Sequence, residues 1–188
     1  MLKKIRSALI YLVIIAVSGF AIFYTVFKPN LGTYSPSKQS SSALSTQALF
    51  AAHLPSPEGK NQALNQWQGK IIVLNFWATW CPPCREEMPE LSALNIEYQN
   101  RNVVVIGIAI DEMDAVKAFV TDTKLDAIKV SYPLLVAEVE GMGLASGLGN
   151  AKGVLPFTLI IKPDGAVAKS YFGRVTKPLL EEAITKLL

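Results

Sequence analysis

Two short runs, KIIVLNFW (Lys70–Trp77) and VVVIGIAI (Val103–Ile110), are apolar and rich in β-branched residues with almost no polar interruption. A strand with one wet face alternates apolar and polar residues; a continuous run suits a strand buried on both faces. Between the runs, Pro82–Gln99 puts Met88, Leu91, Leu94 and Tyr98 on one stripe near a 3.6-residue period. Strand, crossover helix and strand make a βαβ unit with parallel strands. That unit commits the chain to a sheet covered by helices on both sides. Downstream, Asp111 is placed to cap a helix carrying Val116, Phe119 and Val120. FTLII (Phe157–Ile161) and AVAKSYF (Ala166–Phe172) flank KPDG, which predicts a hairpin. Thr176 is placed to cap a last helix with Leu180, Ile184 and Leu187 on one side. The predicted order is β-α-β-α, a β-hairpin, then α. It describes an α/β fold with a central mixed sheet flanked by helices.

The N-terminus is of another kind. Ser7–Phe27 contains no charged residue. About 20 helical residues at about 1.5 Å each cover about 30 Å, the thickness of a bilayer core. A cleaved signal would have a shorter apolar part and a small-x-small site, which YTVFKPN does not offer. The sequence therefore predicts one transmembrane signal anchor within residues 1–28. Lys3, Lys4 and Arg6 precede the span and only Lys28 follows closely, which places the N-terminus in the cytoplasm and the rest outside. Lys28–Gln47 is rich in Ser and has no apolar period, so residues 29–49 read as a flexible tether and residues 50–188 as the domain. The chain has 18 basic and 15 acidic residues; four of the basic ones lie in residues 1–28, leaving 14 against 15. The basicity is thus a topology signal, and no nucleic-acid partner is expected.

The only two cysteines, Cys81 and Cys84, lie in NFWATWCPPCREEMPEL. A structural zinc site needs four ligands, and the chain adds only the distant His53. No metal or cofactor site is expected. As a staple, a disulfide closing so short a loop would contribute roughly 2 kcal/mol. Copper(I) is chemically feasible, because two thiolates suit a soft ion. The strongest reading comes from context. Cys81 follows a buried strand and opens a helix, so its sulfur lies where the helix dipole and free N–H groups favour thiolate. Cys84 lies one turn further in. The expected split is Cys81 as exposed nucleophile and Cys84 as buried resolving thiol. The Gly-rich GMGLASGLGNAKG (Gly141–Gly153) misses both phosphate-loop spacings. It reads as a short helix with Gly149 or Asn150 as a left-handed cap.

On GKIIVLNFWATWCPPCREEMP, GVLPFTLIIKPDG and the anchor, the chain resembles the thioredoxin superfamily, and within it the membrane-anchored TlpA/ResA/CcmG-like thiol:disulfide oxidoreductases. The resemblance covers about Phe50 to Leu188 and implies a thioredoxin-like fold. It makes Pro156 a cis proline against the dithiol and gives Leu155 the backbone that pairs with a partner peptide. It also places Asn75 where cytoplasmic thioredoxins carry a buried Asp, and Glu87 where this branch carries a Glu. Helix phase supports Glu87 independently. Glu86, Glu90 and Glu97 fall on the polar side, whereas Glu87 shares the stripe of Cys84, Met88, Leu91 and Leu94. A carboxylate there should have a raised pKa and could shuttle the Cys84 proton; the plainer alternative is a first-turn Glu complementing the dipole. Trp80 is expected to cover the dithiol and contact substrate, and Trp77 to be core. Arg85 either lowers the Cys81 pKa or is simply solvated. Pro89 should kink the helix. Peroxiredoxins share the fold, but their P-x-x-x-T-x-x-C pattern fails here at Leu74 and Ala78.

Pro82 and Pro83 lack an N–H, so fewer donors reach the Cys81 sulfur, which favours the reducing direction. The resemblance points the same way. It implies extracytoplasmic clients whose disulfides are reduced for haem attachment (apocytochrome c) or copper-site assembly. It also implies a membrane thiol transporter of the CcdA/DsbD type as electron donor, and a single-pass place in the bacterial inner membrane with the domain on the periplasmic or outer side. A disulfide oxidase or isomerase, and a copper(I)-binding module, remain as alternatives.

Overall fold

The computed structural model describes residues 17–18, 20, 45–122 and 130–188. The chain divides into two units, residues 1–41 and 42–188. The expected anchor lies outside the described residues, apart from Val17, Ser18 and Phe20. Among the described residues, no helix is long and apolar enough to cross a membrane.

The second unit begins with helix α1 (Gln47–Ala51), the strands β1 (His53–Pro55) and β2 (Asn61–Ala63), and a 3-10 turn (Leu64–Trp67). There follow β3 (Ile71–Trp77), α2 (Pro82–Tyr98), β4 (Val103–Ala109), α3 (Met113–Thr121), β5 (Leu134–Val136), α4 (Glu140–Gly147), β6 (Phe157–Ile161), β7 (Val167–Phe172) and α5 (Lys177–Ile184). β1 and β2 pair with each other; the main sheet has the order β5-β4-β3-β6-β7. β3, β4 and β5 are parallel, while β6 runs antiparallel to both β3 and β7. This is the mixed, helix-flanked sheet of a thioredoxin-like fold. The βαβ unit, the hairpin and the last helix stand where the periodicity puts them.

Strand parity sorts the core. Ile71, Val73 and Trp77 of β3 pack with Met88, Leu91 and Leu94 of α2 and with Leu180 and Ile184 of α5. Ile72, Leu74 and Phe76 turn to the other face, with Leu49 and Phe50 of α1 and Ala145 and Leu148 near α4. Both faces are dry, which is why the β3 and β4 sequences do not alternate. Gly107 in β4 is forced by proximity: a Cβ there would lie 2.7 Å from Leu134 Cδ2 and 3.2 Å from Trp77 Nε1.

Three expectations change in detail. The folded part starts before Phe50: Leu49 is buried, and the Thr46 hydroxyl donates to the Gly165 carbonyl over 2.6 Å. At five residues that helix is too short for an apolar period to register at the end of a Ser-rich stretch. Asp111 does not cap α3, whose N-cap is Glu112 without a side-chain bond. Its carboxylate is engaged by Thr79 instead. Thr176 is the N-cap residue of α5 but makes no capping bond; the Lys177 N–H is taken by Glu90 Oε2 of α2 at 3.0 Å. Pro89 lies inside α2, as expected from the sequence. The Gly-rich stretch does form a short helix, with Gly149 at φ +106° after it.

Candidate redox site

Cys81 and Cys84 are joined in a disulfide at the N-terminus of α2, with Cα atoms 5.3 Å apart. Cys81 is the N-cap residue, and Pro82 and Pro83 occupy the first two helical positions. Ordinarily several N–H groups of a first helical turn are free to face an anion. Here two of them do not exist. The Arg85 N–H is spent on the Cys81 carbonyl at 3.2 Å. Only the Cys84 N–H of the first turn is neither missing nor spent, and Cys81 makes no side-chain cap bond.

The nucleophile is not as open as expected. Cys81 is 4% exposed and Cys84 0%. The order of burial holds, but Cys81 belongs to the same apolar cluster as Trp77 and Ala78, against which Leu155 packs. Trp80 is 66% exposed and so projects into solvent. Trp77 is core, tilted against Phe119 at 5.3 Å. Arg85 lies over the Phe119 ring at 5.8 Å, which engages its guanidinium in a cation–π contact. The Leu155–Pro156 bond is cis.

The loop that carries Trp80 and Cys81 is tied at several points. Ile110 N–H donates to the Trp77 carbonyl at 2.8 Å, and Cys81 N–H to that of Ala78 at 3.2 Å. Thr79 donates both its N–H, at 3.0 Å, and its hydroxyl, at 2.5 Å, to Asp111 Oδ2.

Beneath the dithiol lies a buried polar cluster. Glu87 is 0% exposed. It sits one turn beyond Cys84 on the same helix face, a spacing that brings side chains together. Its Oε1 accepts from Asn75 Nδ2 at 2.7 Å, and its Oε2 from the Val175 N–H at 2.8 Å. Asn75 Nδ2 also reaches Thr158 Oγ1 at 3.0 Å, its register partner across β3 and β6. Burial pushes the Glu87 pKa up to about 7 against the pull of the Val175 and Asn75 bonds and of the Arg174 charge. The dominant cause is desolvation, as helix phase alone suggested. The same carboxylate in turn disfavours ionisation of the buried Tyr132, although desolvation is the larger cause there. Asn75 Oδ1 has no partner among the described residues. Turning the amide over would present that oxygen to a protonated Glu87, so this side chain suits both charge states.

Glu87 also has a structural job that its dipole position did not suggest. With Glu86, Glu90 and Glu97 it forms a row that receives the chain entering α5. Glu86 pairs with Arg174 at 3.4 Å, Glu87 and Glu90 take the Val175 and Lys177 N–H groups, and Glu97 meets Lys177 Nζ at 2.7 Å. Residues without a distinctive sequence signal also enter the site: Thr79, Asp111, Thr158, Tyr132 and Val175. The first two are ordinary surface types, and the Val175 contribution is main chain.

Comparison with known proteins agrees with this geometry. The model of the AhpC/TSA family matches residues 46–170. The thiol-disulfide oxidoreductase ResA of Bacillus cereus (strain ATCC 10987 / NRS 248) is 32% identical over 187 residues, 99% of each chain. The ResA of Bacillus thuringiensis subsp. konkukian (strain 97-27) is 37% identical over 131 residues, 69% of this chain and 70% of that one. Among solved structures, a secreted thiol-disulfide isomerase from Corynebacterium glutamicum superposes with a TM-score of 0.62 at 25% identity, covering 72% of this chain and 82% of its own. Leu74 and Ala78 still stand where a peroxide-reducing cysteine site would carry Pro and Thr. With a disulfide-forming Cys-x-x-Cys at the head of α2 in this fold, the chain belongs to the AhpC/TSA family of thioredoxin-like proteins and is a thiol-disulfide oxidoreductase.

Proposed function

We propose that the protein is a reductase of disulfides in extracytoplasmic client proteins, held at the bacterial inner membrane by a single span within residues 7–27. The observation that carries the direction is the first turn of α2. With Pro82 and Pro83 at its first two positions and the Arg85 N–H spent on the Cys81 carbonyl, the first turn can offer the Cys81 sulfur at most the Cys84 N–H, and Cys81 makes no side-chain cap bond. A thiolate with few donors is weakly stabilised, and a weakly stabilised dithiol is a stronger reductant.

The reaction runs in two exchanges. The Cys81 thiolate attacks one sulfur of a client disulfide, forming a mixed disulfide and releasing the other client sulfur as a thiolate, which takes a proton. The Cys84 thiolate then attacks Cys81 Sγ, forming the Cys81–Cys84 disulfide and releasing the second client thiolate. Two electrons pass to the client, and a membrane thiol transporter of the CcdA/DsbD type restores the dithiol. Glu87 accepts the proton that Cys84 must lose, a role that suits a carboxyl titrating near neutrality on the same helix face. Leu155 and Pro156 receive the client main chain and Trp80 its side chains. Cysteines destined for haem attachment or a copper site are the clients that fit such a reductant.

The deciding experiment is the reduction potential of residues 42–188 in glutathione and dithiothreitol buffers. A value near or below about −270 mV is expected, whereas one near about −120 mV would make the protein an oxidant.

A further inference from the structure

Three consecutive residues at the cis-proline loop differ in what their main chains do. The Val154 N–H donates to Asn150 Oδ1 at 2.9 Å, and the Val154 carbonyl accepts from Asn150 Nδ2 at 2.8 Å. The Pro156 carbonyl accepts from the Gly173 N–H at 2.9 Å. Between them, the N–H and C=O of Leu155 make no hydrogen bond among the described residues. Leu155 is half-buried and packs against the cluster that contains Cys81.

The Asn150 side chain is the device that creates this pattern. It is 1% exposed, and both ends of its carboxamide are used on one residue. In doing so it supplies the donor and the acceptor that a neighbouring strand would supply. Its own main chain is fixed as well: its N–H donates to the Ala145 carbonyl at 2.9 Å, closing the end of α4, and its carbonyl accepts from Gly153 at 3.1 Å. The end of α4 and the cis-proline loop are thereby locked together through one buried amide. A strand partner provided by a side chain stops after one residue. The next residue along, Leu155, lies in the bend before β6, beside its locked neighbour, with both polar groups unclaimed among the described residues.

We propose that Asn150 is a positioning residue for client recognition. Its clamp on Val154 holds Leu155 so that an extended polypeptide segment flanking the client cysteine adds to Leu155 by a pair of main-chain hydrogen bonds. The ligand class is an extended peptide with a free N–H at the pairing position, hence not a proline there; no particular side chain is demanded. This deepens the client reading above and rests on it. The clamp touches neither sulfur, so it governs how a client is held and not how the dithiol is poised.

The test compares two disulfides on the reduced protein, with wild type, Asn150→Ala and Asn150→Asp. One is a ten-residue peptide carrying a glutathionylated cysteine; the other is bis(2-hydroxyethyl) disulfide, which has no peptide main chain. Asn150→Asp preserves volume and the acceptor for the Val154 N–H but removes the donor to its carbonyl. In Asn150→Ala, kcat/KM for the peptide should fall about 10-fold through KM, the size of two modest hydrogen bonds misplaced. The Asp variant should fall between, and the rate with the small disulfide and the reduction potential should stay within twofold and within error. Amide exchange gives an independent readout: Val154 is protected in the wild type and loses protection in Asn150→Ala. Parallel losses with both disulfides, or no loss with either, would overturn the role of Asn150. A wild type that shows no preference for the peptide would instead sink the client reading itself, and this inference with it.

Discussion

The two faces of the sheet are built from different chemistry. In β3, β4 and β6 the positions turned toward α1 and α4 are Ile72, Leu74, Phe76, Val104, Ile106, Ile108, Phe157, Leu159 and Ile161, without one polar side chain. Positions turned toward α2 include Asn75 and Thr158, and α2 sets Glu87 against them. Asn75 Oδ1, Trp77 Nε1 and the Tyr132 hydroxyl are buried without partners among the described residues. Leaving such a group unpaired costs about 1–3 kcal/mol. An apolar face of the same shape would be more stable. Within these central strands the polar side chains lie on the face that carries the dithiol, so one side of the sheet is uniformly apolar and the other tolerates a loss of stability.

The largest effect should come from the apolar face. Leu159 is fully buried at the middle of β6. Leu159→Ala should cost about 2–5 kcal/mol in chemical denaturation. The dithiol potential measured under native conditions should not move. A shift of about 30 mV or more, equal to about 1.4 kcal/mol on the redox couple, would show that the two faces are not separable.

The next effect belongs to Glu87. Its pKa is about 7 in the folded protein against 4.5 for the free side chain. Below about pH 4.5 folded and unfolded chains both hold the proton. Between about 4.5 and 7 the unfolded chain releases it while the folded one keeps it. Stability present at low pH is therefore lost as pH rises through about 7, by on the order of 3 kcal/mol. Glu87→Gln should flatten that slope. It should also remove an inflection near neutrality from the pH profile of Cys84-dependent exchange. A slope unchanged in the variant would assign the titration to another group.

Much of this was readable from spacing. Continuous β-branched runs place β3 and β4, and a stripe one turn wide places Cys84 and Glu87 on the buried side of α2. The features that escaped depend on contacts between distant segments. β5 is three residues long and α1 five, too short for a period to register. The capping rule found the N-cap position at Thr176 but fell one residue short at Asp111, where Glu112 is the N-cap, and tertiary partners decided where the bonds went. Asp111 faces Thr79 across 32 positions, and the α5 amide is met by Glu90 across 87. Asn150 reads as a helix stop, and nothing nearby announces that its amide will hold Val154.

The smallest effect tests whether the rim of the dithiol face is itself fixed by a carboxylate. Asp111 Oδ2 receives two hydrogen bonds from Thr79, two residues before Cys81, and Oδ1 a third from the Glu112 N–H at 2.9 Å. Hydrogen bonds to a charged acceptor contribute about 1.5–3 kcal/mol when buried, and these are half-buried, so Thr79→Val should cost about 1 kcal/mol. The main-chain bond survives that change, and Thr79→Ser restores the hydroxyl. Asp114, whose side chain is 98% exposed, supplies the control. Asp111→Ala should destabilise the protein more than Asp114→Ala and should alter the rate at which iodoacetamide modifies reduced Cys81, because the loop that presents the sulfur would lose its anchor. Equal stabilities for the two alanine variants, with equal alkylation rates, would mean that the loop is held by its main chain alone. The chemistry of this face would then be confined to the buried Glu87 cluster.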